Sequence, residues 1–272
     1  MPLSPIITLE HVTKHFEAKR ALEDVTVTIQ PGEFIAVIGK SGAGKTTLLR
    51  CLACSSRVTE GVIRFGAQDL TALHGAALRR HRARVGMIYQ QFHLVRRLRV
   101  MDNVLIGRLP HLEGWRQWAA LCRYFATSQR EIALRCLDHV GLLDRVWQRT
   151  DTLSGGEQQR VAIAKILAQE PRVILADEPV ASLDVVNGAR VMATLRRIAS
   201  TAGLTIIANL HHLEDARRYA DRVLGLRHGR LLFDGSPAGL TEAVSIDLFG
   251  ETHTEAPGSR AVALEEAIWA VS

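Results

Sequence analysis

No stretch of this sequence reaches the roughly 18 uninterrupted apolar residues of a membrane-crossing helix. The opening run from Met1 to Phe16 also lacks a basic segment followed by an apolar one. Neither a membrane span nor a leader is therefore expected, and any work at a membrane would run through a partner. Cysteines are few: Cys51, Cys54, Cys122 and Cys136. They form a single C-x-x-C pair, "CLAC", in an apolar helix-like run, with no second pair to complete a zinc site. Buried reduced thiols in a cytosolic setting are the expectation. Strand signals are scarce between Gln90 and Leu153, where the chain becomes arginine-rich, tryptophan-bearing and helical.

What is present is an ordinary globular composition: 272 residues, 47% hydrophobic and 23% charged, enough to bury a full core. Lys and Arg total 34 against 28 Asp and Glu, a net charge of +6. The arginines gather in "LRRHRAR" (Leu78 to Arg84) and "RRLR" (Arg96 to Arg99). Such clusters suit an anionic contact, whether nucleotide, nucleic acid or the lipid beside a membrane protein, or else a solvated basic face.

The chain opens with short β-branched runs, "VTVTI" (Val25 to Ile29) and, after the turn "QPGE", "FIAVIG" (Phe34 to Gly39). The second run is apolar throughout, as a strand covered on both faces would be. "VGMIYQ" (Val85 to Gln90), "RVILADEP" (Arg172 to Pro179) and "LTIIANLHH" (Leu204 to His212) read as further buried strands, alternating with helical patterns. That alternation predicts an α/β fold with a mostly parallel sheet, preceded by an antiparallel β portion. The region from about 91 to 160 is expected to be a helical subdomain inserted into a domain spanning 5–250, and the tail 251–272 has no readable role.

"GKSGAGKT" (Gly39, Lys40, Ser41, Gly42, Ala43, Gly44, Lys45, Thr46) follows a predicted strand and opens a predicted helix. A phosphate loop has this form: backbone N–H groups point at phosphates, Lys45 reaches the β- and γ-oxygens, and the Thr46 hydroxyl ligates Mg²⁺. Thr47 continues the same helix start. "VILADE" is an apolar strand ending in two carboxylates, at the carboxyl edge where parallel sheets bind ligands. Asp177 suits the Mg²⁺ shell, and Glu178 is placed to polarise an attacking water. "LSGGEQQR" raises a question, because Ser154 with Glu157 is already a capping box for the helix that follows. Capping needs no glycine pair, so Gly155 and Gly156 read as an opening through which another molecule's phosphates approach the helix N–H groups.

Together, Gly39 to Thr46, Gln90, "LSGGEQQR", "ILADEP", "SLD" (Ser182 to Asp184) and a histidine after "TIIANL" resemble the nucleotide-binding subunit of an ATP-binding cassette (ABC) transporter, over roughly residues 5 to 250. The resemblance implies ATP and Mg²⁺ as cofactors. It also implies a head-to-tail dimer, in which the signature helix of one copy caps the γ-phosphate held by the other. By the same resemblance Phe16 would stack on adenine, and Gln90 would sense Mg²⁺ and the attacking water. Asp184 would contact the partner copy, and His211 rather than His212 would switch on the γ-phosphate. "SLDVV" departs from the family, which usually has proline after the aspartate.

"QQFHLVRRLRVMDNVLIGRL", "WRQW", "NLHH" and "GLRHGRLLFDG" are most similar to the ATPase subunits of phosphonate importers. The implied setting is the cytoplasmic face of the inner membrane, with integral permease subunits as partners and a periplasmic solute-binding protein acting indirectly. An importer of another solute, such as a phosphate ester or amino acid, is the alternative. A soluble ABC ATPase acting on nucleic acid is disfavoured, since the chain shows one cassette and no sustained heptads. A GTPase would need an N-K-x-D motif, which is lacking.

Overall fold

The computed structural model describes residues 4–17, 19–114, 118, 120 and 124–250. Two sheets form first-order layers. The smaller joins β1 (Ile7–Phe16), β2 (Lys19–Ile29), β4 (Glu60–Phe65) and β5 (Gln68–Asp69) in the order β2-β1-β4-β5, with antiparallel pairing throughout. The larger joins β3 (Phe34–Ile38), β6 (Val85–Ile88), β7 (Val173–Asp177), β8 (Thr205–Asn209), β9 (Arg222–Arg227) and β10 (Arg230–Gly235) in the order β10-β9-β3-β8-β7-β6. Only β10 runs against its neighbour.

The uniform apolarity of β3 has a direct cause in this arrangement. Phe34, Ala36 and Ile38 face one core cluster, with Ile174, Ala176, Ile206 and Ala208 beside them. Ile35 and Val37 face the other, with Leu175, Ile207 and the inward residues of the small sheet. A strand covered on both faces has no position at which a polar side chain is cheap.

The α-helices described in full are α1 (Lys45–Leu52), α2 (Gly75–Arg84), α3 (Val100–Ile106), α4 (Thr127–His139), α5 (Gly155–Ala168), α6 (Val185–Ala202), α7 (Leu213–Tyr219) and α8 (Glu242–Phe249). Between β6 and β7 the described residues contain no strand, and α3, α4 and α5 pack on one another there. The inserted lobe thus shares α5 with the sheet domain, since that helix leads straight into β7. The described helices include none long and apolar enough to cross a membrane. Cys51 and Cys136 are buried, Cys54 is half-buried, and burial pushes each thiol up to about 11. Cys122, Trp115 and the tail lie outside the described residues.

Parallel pairing fixes where chemistry can gather. With β3, β8, β7 and β6 adjacent and codirectional, the residues after Ile38, Asn209, Asp177 and Ile88 all leave the sheet at one edge.

Candidate functional site

The turn from Gly39 to Gly44 lies at that edge. Gly39 has φ of 142°, and a Cβ there would meet the Leu226 carbonyl oxygen at 2.1 Å; at Gly44, φ is 108° and a Cβ would meet the Ala21 oxygen at 2.4 Å. Both positions exclude any side chain, on conformational and steric grounds alike. Gly44 is the N-cap of α1 without a side-chain cap, so the helix opens with its N–H groups uncovered by any acidic residue of the first turn. Lys45 is buried, and its Nζ donates to the carbonyls of Gly39 at 2.6 Å and Lys40 at 3.3 Å. Burial pushes this ammonium below its ordinary value, against the pull of Glu178 and Asp177.

Thr46 Oγ1 donates to Asp177 Oδ1 at 2.9 Å, which joins the loop to the end of β7. The next residue, Glu178, sits at φ 52°, a left-handed conformation that a glutamate adopts at a cost. His211 Nε2 lies 2.5 Å from Glu178 Oε1. An ionised carboxylate only accepts, so the ring nitrogen is the donor. Glu178, Leu183, Asn209, His211 and His212 line a pocket of about 360 Å³. Gln90 follows β6 and is exposed; Ile88 pairs with Ala176, so Gln90 leaves the sheet beside Glu178. Phe16 closes β1 with 45% of its surface exposed and Lys14 Nζ 4.7 Å above its ring, outside the core. The partner strand β2 touches the loop through Ala21.

The residues at the loop fit Mg²⁺. A hydroxyl and a carboxylate, both hard oxygen donors, lie in contact with each other beside the Gly39–Gly44 turn, and Mg²⁺ typically takes one or two such ligands plus phosphate oxygens and water.

The signature segment is built differently. Ser154 caps α5 by accepting from Glu157 N at 3.3 Å, while Glu157 Oε2 accepts from Ser154 N at 2.9 Å, so the capping box is complete. Gly155 is exposed, as an opening to another molecule requires. Gly156 is buried, and its glycine has an internal reason: a Cβ would sit 2.8 Å from Asn187 Oδ1. Only one of the two glycines therefore clears outward space. Asn187 also bonds Asp184, which caps α6: its backbone N donates to Asp184 Oδ1 at 3.0 Å and its Nδ2 to Oδ2 at 2.6 Å. These bonds hold the Asp184 carboxyl below its ordinary value. They also keep the turn intact where Val185 replaces the family's proline. No hydrogen bond or ion pair among those described joins this segment to the loop.

Two contributors escaped the sequence reading. Asn209, at the end of β8, donates to Asp177 Oδ1 at 2.8 Å. Gln159, buried in α5, donates to the Pro179 carbonyl at 2.7 Å and so ties the signature helix to the segment after Glu178. A polar residue closing an apolar strand was the available signal for the first; nothing marked the second.

A sheet edge carrying a phosphate loop, a hydroxyl–carboxylate pair and a histidine-held glutamate, with a helical lobe inserted, defines an ATP-binding cassette. Residues 22–181 match the family described as "ABC transporter". The chain belongs to that family. It is 46% identical over 245 residues to "Phosphonates import ATP-binding protein PhnC 2" of Roseobacter denitrificans, covering 90% of this chain and 89% of that one. Against "Phosphonates import ATP-binding protein PhnC" of Bradyrhizobium diazoefficiens it is 45% identical over 263 residues, 97% of each chain. The solved "Dimeric structure of a post-hydrolysis state of the ATP-binding cassette MJ0796 bound to ADP and Pi" superposes with a TM-score of 0.74 at 30% identity, over 86% of this chain and 99% of that one.

Proposed function

We propose that this chain is the ATP-hydrolysing subunit of an ABC import complex that energises phosphonate uptake, working as a head-to-tail pair on the cytoplasmic face of the inner membrane. The observation that carries the enzymatic half is the contact chain along one sheet edge, from Lys45 through Thr46 and Asp177 to Glu178 and His211. The names of the relatives that match along nine-tenths of the chain support the phosphonate half.

In this reading the loop N–H groups from Gly39 to Thr47 and Lys45 bind the β- and γ-phosphates of ATP, with Phe16 against the adenine. Thr46 and Asp177 hold Mg²⁺, which when bound neutralises charge on the transferring phosphoryl group. Glu178 accepts the proton of the attacking water, and His211 fixes the orientation of that carboxylate. Gln90 reports the state of this edge to the inserted lobe. Ser154, Gly155, Gly156, Glu157 and Asp184 serve the site of the second copy.

The inserted lobe (91–160) is the docking face for the permease. Trp118 is 74% exposed and Trp147 66% exposed, and Trp147 has the Arg99 guanidinium 5.8 Å from its ring. Exposed aromatics with arginine are what interface hot spots use. A periplasmic binding protein acts only through the permease.

The test is reconstitution in vesicles with permease and binding protein. Alkylphosphonates should stimulate ATP hydrolysis, whereas phosphate esters and amino acids should not. Stimulation by one of the latter alone would reassign the transported solute.

A further inference from the structure

Asn209 is an anomaly in its own strand. β8 reads Thr205, Ile206, Ile207, Ala208, Asn209 and is buried at every position, with Asn209 only 1% exposed. Asparagine is depleted in strands, and a buried amide is unfavourable unless its hydrogen bonds are made. One cross-strand neighbour and one residue of α1 stand against the amide group. Asn209 is the direct cross-strand partner of Asp177, and its Nδ2 donates to Asp177 Oδ1 at 2.8 Å. The same Nδ2 stands 3.5 Å from Thr46 Oγ1. The orientation of the amide is settled by chemistry, since a carboxylate oxygen accepts and only the NH₂ end can donate. That leaves Asn209 Oδ1 buried with no hydrogen-bond partner. A residue chosen for stability alone would not leave such an orphan beside the aliphatic run Ile206, Ile207 and Ala208, and the strand's other polar residue, Thr205, has its hydroxyl oxygen bonded by Gly32 N at 2.9 Å.

We propose that Asn209 is a positioning residue for the metal half of the site. Its amide and the Thr46 hydroxyl both bond Oδ1 of Asp177, which fixes the carboxylate and directs its other oxygen, Oδ2, as the one these contacts do not occupy. This rests on the reading of Thr46 and Asp177 as the pair that holds Mg²⁺. Groups that orient a metal-holding carboxylate typically set metal affinity over about 10- to 100-fold.

The experiment measures Mn²⁺ binding, by calorimetry and by the electron paramagnetic resonance of free Mn²⁺, to the full chain saturated with ADP. Wild type, Asp177→Ala and Asn209→Leu are compared, and metal-free ADP affinity is measured for each. Leucine keeps the branch at Cγ and removes the donor. We expect Asn209→Leu to bind Mn²⁺ about 10- to 100-fold more weakly, with metal-free ADP binding unchanged. Unaltered Mn²⁺ affinity in Asn209→Leu, alongside a clear loss in Asp177→Ala, would overturn the role of Asn209 and leave the metal reading standing. Equal Mn²⁺ affinity in wild type and Asp177→Ala would overturn the metal reading itself. If leucine does not give folded chain, Asn209→Val, a natural strand former, takes its place with the same outcomes. A lowered melting temperature with unchanged metal affinity would reduce Asn209 to a structural role and likewise overturn the proposal.

Discussion

The phosphate loop and the signature helix are both helix N-termini, yet they are finished in opposite ways. α1 opens from a glycine turn with no side-chain cap, and the polar groups gathered around it come from the ends of β7 and β8, Asp177 and Asn209, and from the residues just past them, Glu178 and His211. α5 opens with a complete capping box made within four residues; from outside, Arg145 pairs with Glu157 at 3.3 Å, and Asn187, packed against Gly156, bonds the cap of another helix. One terminus is a site assembled by the sheet. The other is a self-contained surface that brings no lysine and no carboxylate pair of its own. A chain built this way presents a loop that lacks a cover and a cover that lacks a loop, which is why the proposed function pairs two copies head to tail.

The largest effect should come from the assembled terminus. Glu178→Gln removes the proposed proton acceptor while keeping the shape of the side chain, and we expect ATP turnover to fall by about 10²- to 10⁴-fold with Mg-ATP binding retained. Near-normal turnover would remove Glu178 from the chemistry. Next, the pair of adjacent histidines sharpens the same point. His211 contacts Glu178, whereas His212 occupies the N-cap position of α7. His211→Ala should lose most ATPase activity and His212→Ala should keep most of it, measured with the permease present; the reverse ranking would move the switch by one residue.

At the self-contained terminus the expected loss is of stability. Gly156→Ala drives a methyl into Asn187, and overpacking of this kind costs about 1–3 kcal/mol. The exposed Gly155→Ala, whose Cβ would come no closer than 3.3 Å to Leu183, should cost less. Adding Asn187→Ala to Gly156→Ala should restore part of the melting temperature. Failure of that relief would mean that the crowding is not at Asn187.

The smallest effect lies at the far end of α1. His81 is buried on α2, its Nε2 faces the Leu52 carbonyl at 3.0 Å, and Phe65 meets its ring edge-on. Burial first, then Arg82 and Arg84, hold its imidazolium below the ordinary histidine value, against the pull of Leu52. The folded state therefore prefers neutral His81. The unfolded chain takes up the proton near pH 6.5, so stability should be full above about pH 6.5 and decline as the pH falls below it. His81→Gln should flatten that decline in a melting-temperature series, and an unchanged slope would assign it to other groups.

Much of this was legible beforehand for a physical reason. A strand buried on both faces is apolar over most of its length, so β3 and the apolar runs Val173–Ala176 of β7 and Ile206–Ala208 of β8 announce themselves, and a phosphate loop is a contiguous string whose glycines are dictated by its own backbone. The capping box at Ser154 and Glu157 is equally local. What the string does not carry is the far partner of a contact. Asn209 matters because β8 lies beside β7, and Gly156 must be glycine because α6 brings Asn187 against it. The sequence reading gave both signature glycines an outward purpose, and the packing of α6 gives one of them an inward one. Trp118, which could equally have filled the lobe, is exposed.

The most direct test of the two-half account is the molar mass, by light scattering, of the Glu178→Gln chain in Mg-ATP, with and without Ser154→Arg in the same chain. We expect Glu178→Gln alone to form a stable dimer holding two ATP molecules. With Ser154→Arg added, the chain should still bind ATP but remain a monomer, because the lesion lies on the surface proposed to cover the partner's nucleotide. A double variant that dimerised as readily as Glu178→Gln would contradict the account.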